Sequence, residues 1–136
     1  MPKKPRSRLT RKEQRDLDVE IGFLEGVVHR DPKYVEALQV LGDNYTKRGK
    51  FVEGMQIDER LSHLLPDDPT VLYNLACSYA LTKRLDQAAT ALVRALDQGY
   101  SDIRWLLKDP DLENLREHAL FKPIRARLRA RKVKIQ

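Results

Sequence analysis

The sequence predicts an all-α protein, a short α-solenoid of antiparallel helical hairpins with a capping helix at each end. Two observations carry that fold class. First, the chain resembles itself at an offset of 34 residues: Leu38 aligns with Leu72, Leu41 with Leu75, Gly42 with Ala76, Tyr45 with Tyr79, Phe51 with Leu85, Gly54 with Ala88 and Leu61 with Ala95. A fixed period of this length is the mark of a helical repeat. Second, within each period the apolar residues recur at helical spacing, and Gly or Pro interrupts them where a hairpin would turn or end.

The elements follow in order. Thr10 and Glu13 form a capping box, so a helix starts at about residue 10. Leu17, Ile21, Leu24 and Val28 are its apolar stripe, and it ends near Arg30, before Asp31-Pro32. Asp31-Pro32 stands 34 residues before Leu65-Pro66, which places this helix as the second half of a hairpin with no apolar partner ahead of it. The region 10–31 is read as a capping helix. In the first full unit, 35–68, Val35, Leu38, Leu41, Gly42 and Tyr45 share one face. Gly49 supplies the positive φ of a turn, and Phe51, Gly54, Ile57, Leu61 and Leu64 make the second face. In the second unit, 69–102, Asp68-Pro69 is an N-cap followed by Pro in the first turn. Leu72, Leu75, Ala76 and Tyr79, then Leu85, Ala88, Ala89, Leu92, Ala95 and Leu96, repeat the two faces. Neither hairpin can bury its apolar face alone, so the units must stack. Downstream, 103–128 starts like a third unit, Asp109-Pro110 cuts it short, and Leu112, Leu115, Phe121, Ile124 and Leu128 remain to cover the last repeat. Residues 1–9 are read as a flexible basic arm and 129–136 as a basic tail, with the last helix fraying after about Arg131.

These residues resemble the tetratricopeptide repeat (TPR), with Leu41-Gly42, Tyr45, Gly49, Phe51 and Pro66 in unit one and Leu75-Ala76, Tyr79, Leu85, Ala88 and Ala95 in unit two. The chain departs from that pattern at Leu38 and Leu72, where the family often has Trp, at Gly54 for Ala, and at Asp58, usually aromatic. The last two suggest a looser second helix in unit one. The segment from Gly99 to Phe121 is similar to the closing module of many bacterial TPR proteins, which hints at a bacterial source.

The resemblance implies a protein-interaction module, an adaptor, scaffold or assembly factor, with a ligand groove on the first helix of each repeat. By position it assigns Gln39, Asp43, Thr46 and Lys47 in unit one, and Tyr73, Asn74, Cys77 and Leu81 in unit two. The chaperone-binding subgroup clamps a peptide carboxylate with Lys and Asn here. Only Asn74 fits that pattern, while Gln39 and Asp43 stand where Lys and Asn belong, so a neutral or basic partner segment suits the groove better. Two other states stay open: the face is simply solvated, or the chain's own C-terminal segment covers it.

The composition tests a rival reading. The chain has 136 residues, 26 Lys+Arg, 20 Asp+Glu and a net charge of +6. Resolved along the sequence, residues 1–15 carry +6, 116–136 carry +7, and 16–115 carry −7. An acidic body therefore has two basic ends. The alternative function is nucleic-acid or ribosome association through those ends, with Lys3, Lys4, Arg6, Arg127, Arg129 and Arg131 meeting phosphates. No aromatic is interleaved with the cations after Phe121, which disfavours base stacking. Self-association through helix faces at the ends of the array is a third possibility.

Catalysis is not expected. Cys77 is the single Cys, which excludes a disulfide framework and a cysteine-rich zinc site. His29, His63 and His118 fall at unrelated repeat positions with no metal-ligand spacing, and Asp67-Asp68 and Asp109–Asp111 read as helix caps beside Pro. There is no Gly-rich phosphate loop, no cofactor signature and no run approaching the roughly 18 apolar residues of a membrane span. The expected setting is cytoplasmic, or nuclear in a eukaryote.

Overall fold

The computed structural model describes residues 8–135, and those residues are all-helical. Helix α1 runs Arg11–Arg30, α2 Val35–Lys47, α3 Phe51–Leu64, α4 Pro69–Leu81 and α5 Leu85–Asp97. Each packs on its neighbour in sequence. Three short pieces follow: α6 Ile103–Leu106, a 3₁₀ turn at Pro110–Leu112, and α7 Glu113–Arg116. A second 3₁₀ turn, Ala119–Phe121, leads into α8, Lys122–Ile135. The short helical solenoid expected from the sequence is the architecture observed.

Local chemistry sets the helix ends. The Glu13 N–H donates to Thr10 Oγ1, and the Thr10 N–H donates back to Glu13 Oε1, both at 3.1 Å. The Thr10 N–H also holds the Glu13 carboxyl below its ordinary pKa. Asp68 caps α4 by accepting from the Thr70 and Val71 N–H groups at 2.9 and 3.1 Å, with Pro69 as the first helical residue. Gly49 turns the first hairpin at φ 82°. Its register equivalent 34 residues later is Lys83, held at φ 63°, a conformation that L side chains resist.

The core lies in two parts. Ile21 and Val28 of α1 join Leu38, Leu41, Ile57 and Leu61 under the first hairpin. Leu72, Leu75, Ala76 and Leu92 join Trp105, Leu112, Phe121 and Leu128 beneath the closing segment.

Two expectations are corrected here. The second helix of unit one is not loosened by its departures from the family pattern. A Cβ on Gly54 would stand 3.1 Å from Thr46 Oγ1 and 3.6 Å from the Gly42 carbonyl oxygen, so glycine is what lets α3 approach α2 this closely. Asp58 is buried and accepts a hydrogen bond from the Ser78 hydroxyl, tying α3 to α4. At the C-terminus, α8 does not fray after Arg131 but is helical through Ile135. Past Pro123, which is tolerated in the first turn, α8 contains no Gly or Pro and is rich in strong helix formers.

Candidate partner-binding groove

The repeat register carries a polar ladder between hairpins. The Tyr45 hydroxyl donates to Glu25 Oε2 on α1, and the Tyr79 hydroxyl donates to Glu59 Oε2 on α3 at 2.9 Å. Each tyrosine reaches back 20 residues, and Glu25 and Glu59 are themselves 34 apart. Burial, reinforced by the carboxylate beside it, raises both phenols, Tyr79 to about 12. Asn44 Nδ2 donating to Glu20 at 3.0 Å and Arg48 pairing with Asp18 at 2.8 Å complete the α1–α2 seam. The ladder ties α2 to α1 and α4 to α3, and α2 and α4 carry the residues expected to line a groove.

The predicted groove residues divide into two groups. On α2, Gln39, Asp43 and Lys47 are exposed, and Thr46 is half-buried with its hydroxyl donating to the Gly42 carbonyl at 3.2 Å. On α4, Tyr73 and Cys77 are buried, at 3% and 1% exposure, while Asn74 and Leu81 are half-buried. The difference arises because the closing segment lies against α4. The Tyr73 hydroxyl donates to Asp109 Oδ2 at 2.7 Å, and the Cys77 thiol points at the same oxygen from 3.7 Å. The Tyr100 ring stacks on Tyr73 with centroids 4.1 Å apart and planes 8° from parallel. Burial, with the carboxylate and thiol beside it, pushes the Tyr73 phenol far above its ordinary value, and burial raises Tyr100 to about 12. At unit two, then, the closing segment covers the side of α4 that carries Tyr73 and Cys77.

Asp109 is the centre of that cover. Its Oδ1 accepts the Asp111 N–H at 3.0 Å, as a helix cap should, while its Oδ2 serves Tyr73. Arg116 Nη1 donates to the Asp109 and Leu106 carbonyls at 2.7 and 3.0 Å, and Asn114 Nδ2 donates to the Ala80 carbonyl at 2.7 Å. From the sequence Asp109 reads only as a cap, since nothing in the repeat spacing links it to Tyr73. Cys77, Asp109 and Asp111 offer ligand-type atoms within 4.8 Å of one another. Asp109 already accepts from Tyr73 and Asp111, and all three side chains are buried. The arrangement reads as a packed polar core.

Of the basic-end residues, Lys3, Lys4 and Arg6 lie outside the described residues. Arg127 forms an ion pair with Asp97, Arg131 Nη1 donates to the Tyr100 carbonyl at 3.4 Å, and Arg129 is exposed. His118 Nδ1 accepts the Leu120 N–H at 3.1 Å, a capping role, and His63 Nδ1 lies 2.8 Å from the Glu59 carbonyl. Among the described residues, no helix is long and apolar enough to cross a membrane.

No family model matches the chain. It is similar to a chloroplastic protein of Arabidopsis thaliana, at 35% identity over 89 residues, covering 61% of this chain and 26% of that protein. It is also similar to the peroxisomal targeting signal receptors of Komagataella phaffii and Komagataella pastoris, at 36% identity over 92 residues, covering 65% of this chain and 16% of each receptor. The chain thus spans about a quarter or less of the length of these relatives. Alongside the stacked hairpins, these similarities support a TPR-like relationship and, at that coarse level, a role in protein interaction.

Proposed function

We propose that this chain is a non-catalytic protein-interaction module, an adaptor or assembly factor of TPR type, that takes a partner segment along the open part of its concave face. The observation that supports this reading is the contrast between equivalent positions. Gln39 and Asp43 are exposed on α2, whereas Tyr73 and Cys77, 34 residues on, are buried under the closing segment. A partner segment therefore lies along α2 and ends near Asn74, where the chain's own cover begins. Gln39 offers both a donor and acceptors to a peptide backbone, and Asp43 places a carboxylate beside it. A neutral or basic segment suits this face, and a partner ending in a clamped carboxylate does not. The likeness to a targeting-signal receptor is in keeping with a module that recognises peptides.

The test is affinity capture from the native cell with the full chain, with and without nuclease, followed by mass spectrometry. A groove partner is expected to be lost on Asp43→Lys or Gln39→Ala and kept when residues 1–8 are removed. Tyr73→Ala is unsuitable as a groove probe, because Tyr73 is a buried tie to Asp109. Capture unchanged by both groove substitutions would refute the reading.

A further inference from the structure

Helix α1 exposes, at Phe23, a position that both complete hairpins bury. At positions 34 and 68 residues on from Phe23 stand Ile57 and Ala91, which are 7% and 3% exposed. Ile57 packs on its own hairpin partner: its Cγ2 lies 3.3 Å from where a Gly42 Cβ would be. Phe23 is 70% exposed and Val19, one turn earlier, 74%. Phe23 occupies the side of α1 where a first helix of the same hairpin would pack, and Val19 borders it, at a position that Glu53 and Gln87 leave exposed in the complete hairpins. Gly22 and Gly26 flank this stripe with nothing within 4 Å of a Cβ built on either. Glycine inside a helix is destabilising relative to Ala, and no contact among the described residues accounts for either one.

We propose that a second copy of this chain fills that place, α1 packing antiparallel on α1 about Phe23. Neighbouring helices in the two complete hairpins run antiparallel, so a partner in the corresponding place beside α1 runs antiparallel to it. The residues on this face are placed symmetrically about Phe23. Val19 and Val27 stand four residues before and after it, and Asp16 and Arg30 seven before and after. These spacings keep all five on one helical stripe. Antiparallel pairing centred on Phe23 sets the two Phe23 rings together and Val19 against the part of Val27 that the other copy's own core leaves uncovered, Val27 being half-buried against that core. It also sets Asp16 against Arg30 of the other copy twice, once at each end. Asp16 and Arg30 are both exposed. Gly22 and Gly26 leave room for the helices to approach. One pair of 20-residue helices, each about 30 Å long, makes an interface at the small end of the specific range, so dissociation in the micromolar range is expected.

Sedimentation velocity or light scattering of the full chain, from about 1 μM to about 1 mM, reads this directly. The mass is expected to rise from one 15.8 kDa chain to two and to stop there. Phe23→Glu should weaken pairing at least ~10-fold while circular dichroism and thermal unfolding of the dilute protein stay unchanged. Val19→Lys serves as a second variant if Phe23→Glu alters the fold. Asp16→Arg should weaken pairing, and Asp16→Arg combined with Arg30→Asp should restore it, which a merely sticky surface would not do. Three results would overturn the proposal. The first is a chain that stays monomeric throughout, which leaves the face to a helix from another protein or from a longer form of this one. The second is assembly beyond two copies. The third is pairing insensitive to Phe23 and Val19, or unrestored by the charge swap.

Discussion

Asp109→Ala is the substitution that most directly tests how the closing segment is held. Asp109 is 1% exposed and accepts from the Tyr73 hydroxyl at 2.7 Å and the Asp111 N–H at 3.0 Å. Truncation strands both donors, and each buried unsatisfied polar group costs about 1–3 kcal/mol. The expected loss is therefore about 2–6 kcal/mol, a large share of the 5–15 kcal/mol typical of a domain. In a chain of this size that lowers the thermal midpoint by roughly 10 °C. Tyr73→Phe should cost less, about 1–2 kcal/mol, since the carboxylate keeps its contact with Asp111. Urea unfolding of the two single variants and the double variant forms a cycle, and the two sites should couple by at least about 0.5 kcal/mol. A loss below about 1 kcal/mol for Asp109→Ala, or strictly additive effects, would show that the Tyr73–Asp109 bond does not hold the segment on α4.

Three further outcomes are expected. Gly54→Val should destabilise by about 1–3 kcal/mol, because a branched side chain must displace Thr46 and push against the Gly42 carbonyl; chemical unfolding reads it. Lys83→Gly should raise stability by about 0.5–1 kcal/mol by relieving a left-handed backbone, with Gly49→Ala moving the other way, as thermal melts would show. Tyr79 and Tyr100 are raised from 10.0 to about 12 in the fold, and Tyr45 and Tyr73 are raised as well. Their contribution is complete below about pH 10 and is lost as pH climbs through the folded values. Stability should hold up to about pH 10 and fall between pH 10 and 12, with phenolate absorbance at these four rings following unfolding.

Much of this architecture is legible in one sequence because a stacked repeat writes the same contacts twice. The pairs at Leu38 and Leu72 or Leu41 and Leu75 mark buried faces whatever else the chain does. The ladder through Glu25 and Glu59 follows the same register but escapes a comparison of apolar positions, since it joins an exposed-type residue to an aromatic one. Gly54 misleads for a different reason: helix propensity counts it as a weakness, while its contact with Thr46 and Gly42 makes it a fitting choice. The Tyr73–Asp109 bond spans 36 residues between a repeat and a non-repeating segment, so no periodicity reports it. The contrast between exposed Gln39 and Asp43 on α2 and buried Tyr73 and Cys77 on α4 goes with that bond and its neighbours, and no local pattern announces it.

The tyrosine ladder also determines where the molecule can be lengthened. A copy of residues 35–68 spliced between Asp68 and Pro69 would put its own tyrosine 20 residues after Glu59 and its own glutamate 20 residues before Tyr79. Every rung would then be kept and one added, as would the buried carboxylate that accepts from Ser78. The same splice after residue 102 would fail, because Val93, at the position that should hold the next glutamate, is apolar. The chain is thus open to growth by duplication at one internal seam and closed to it at the other, a polarity set by a single side chain per unit.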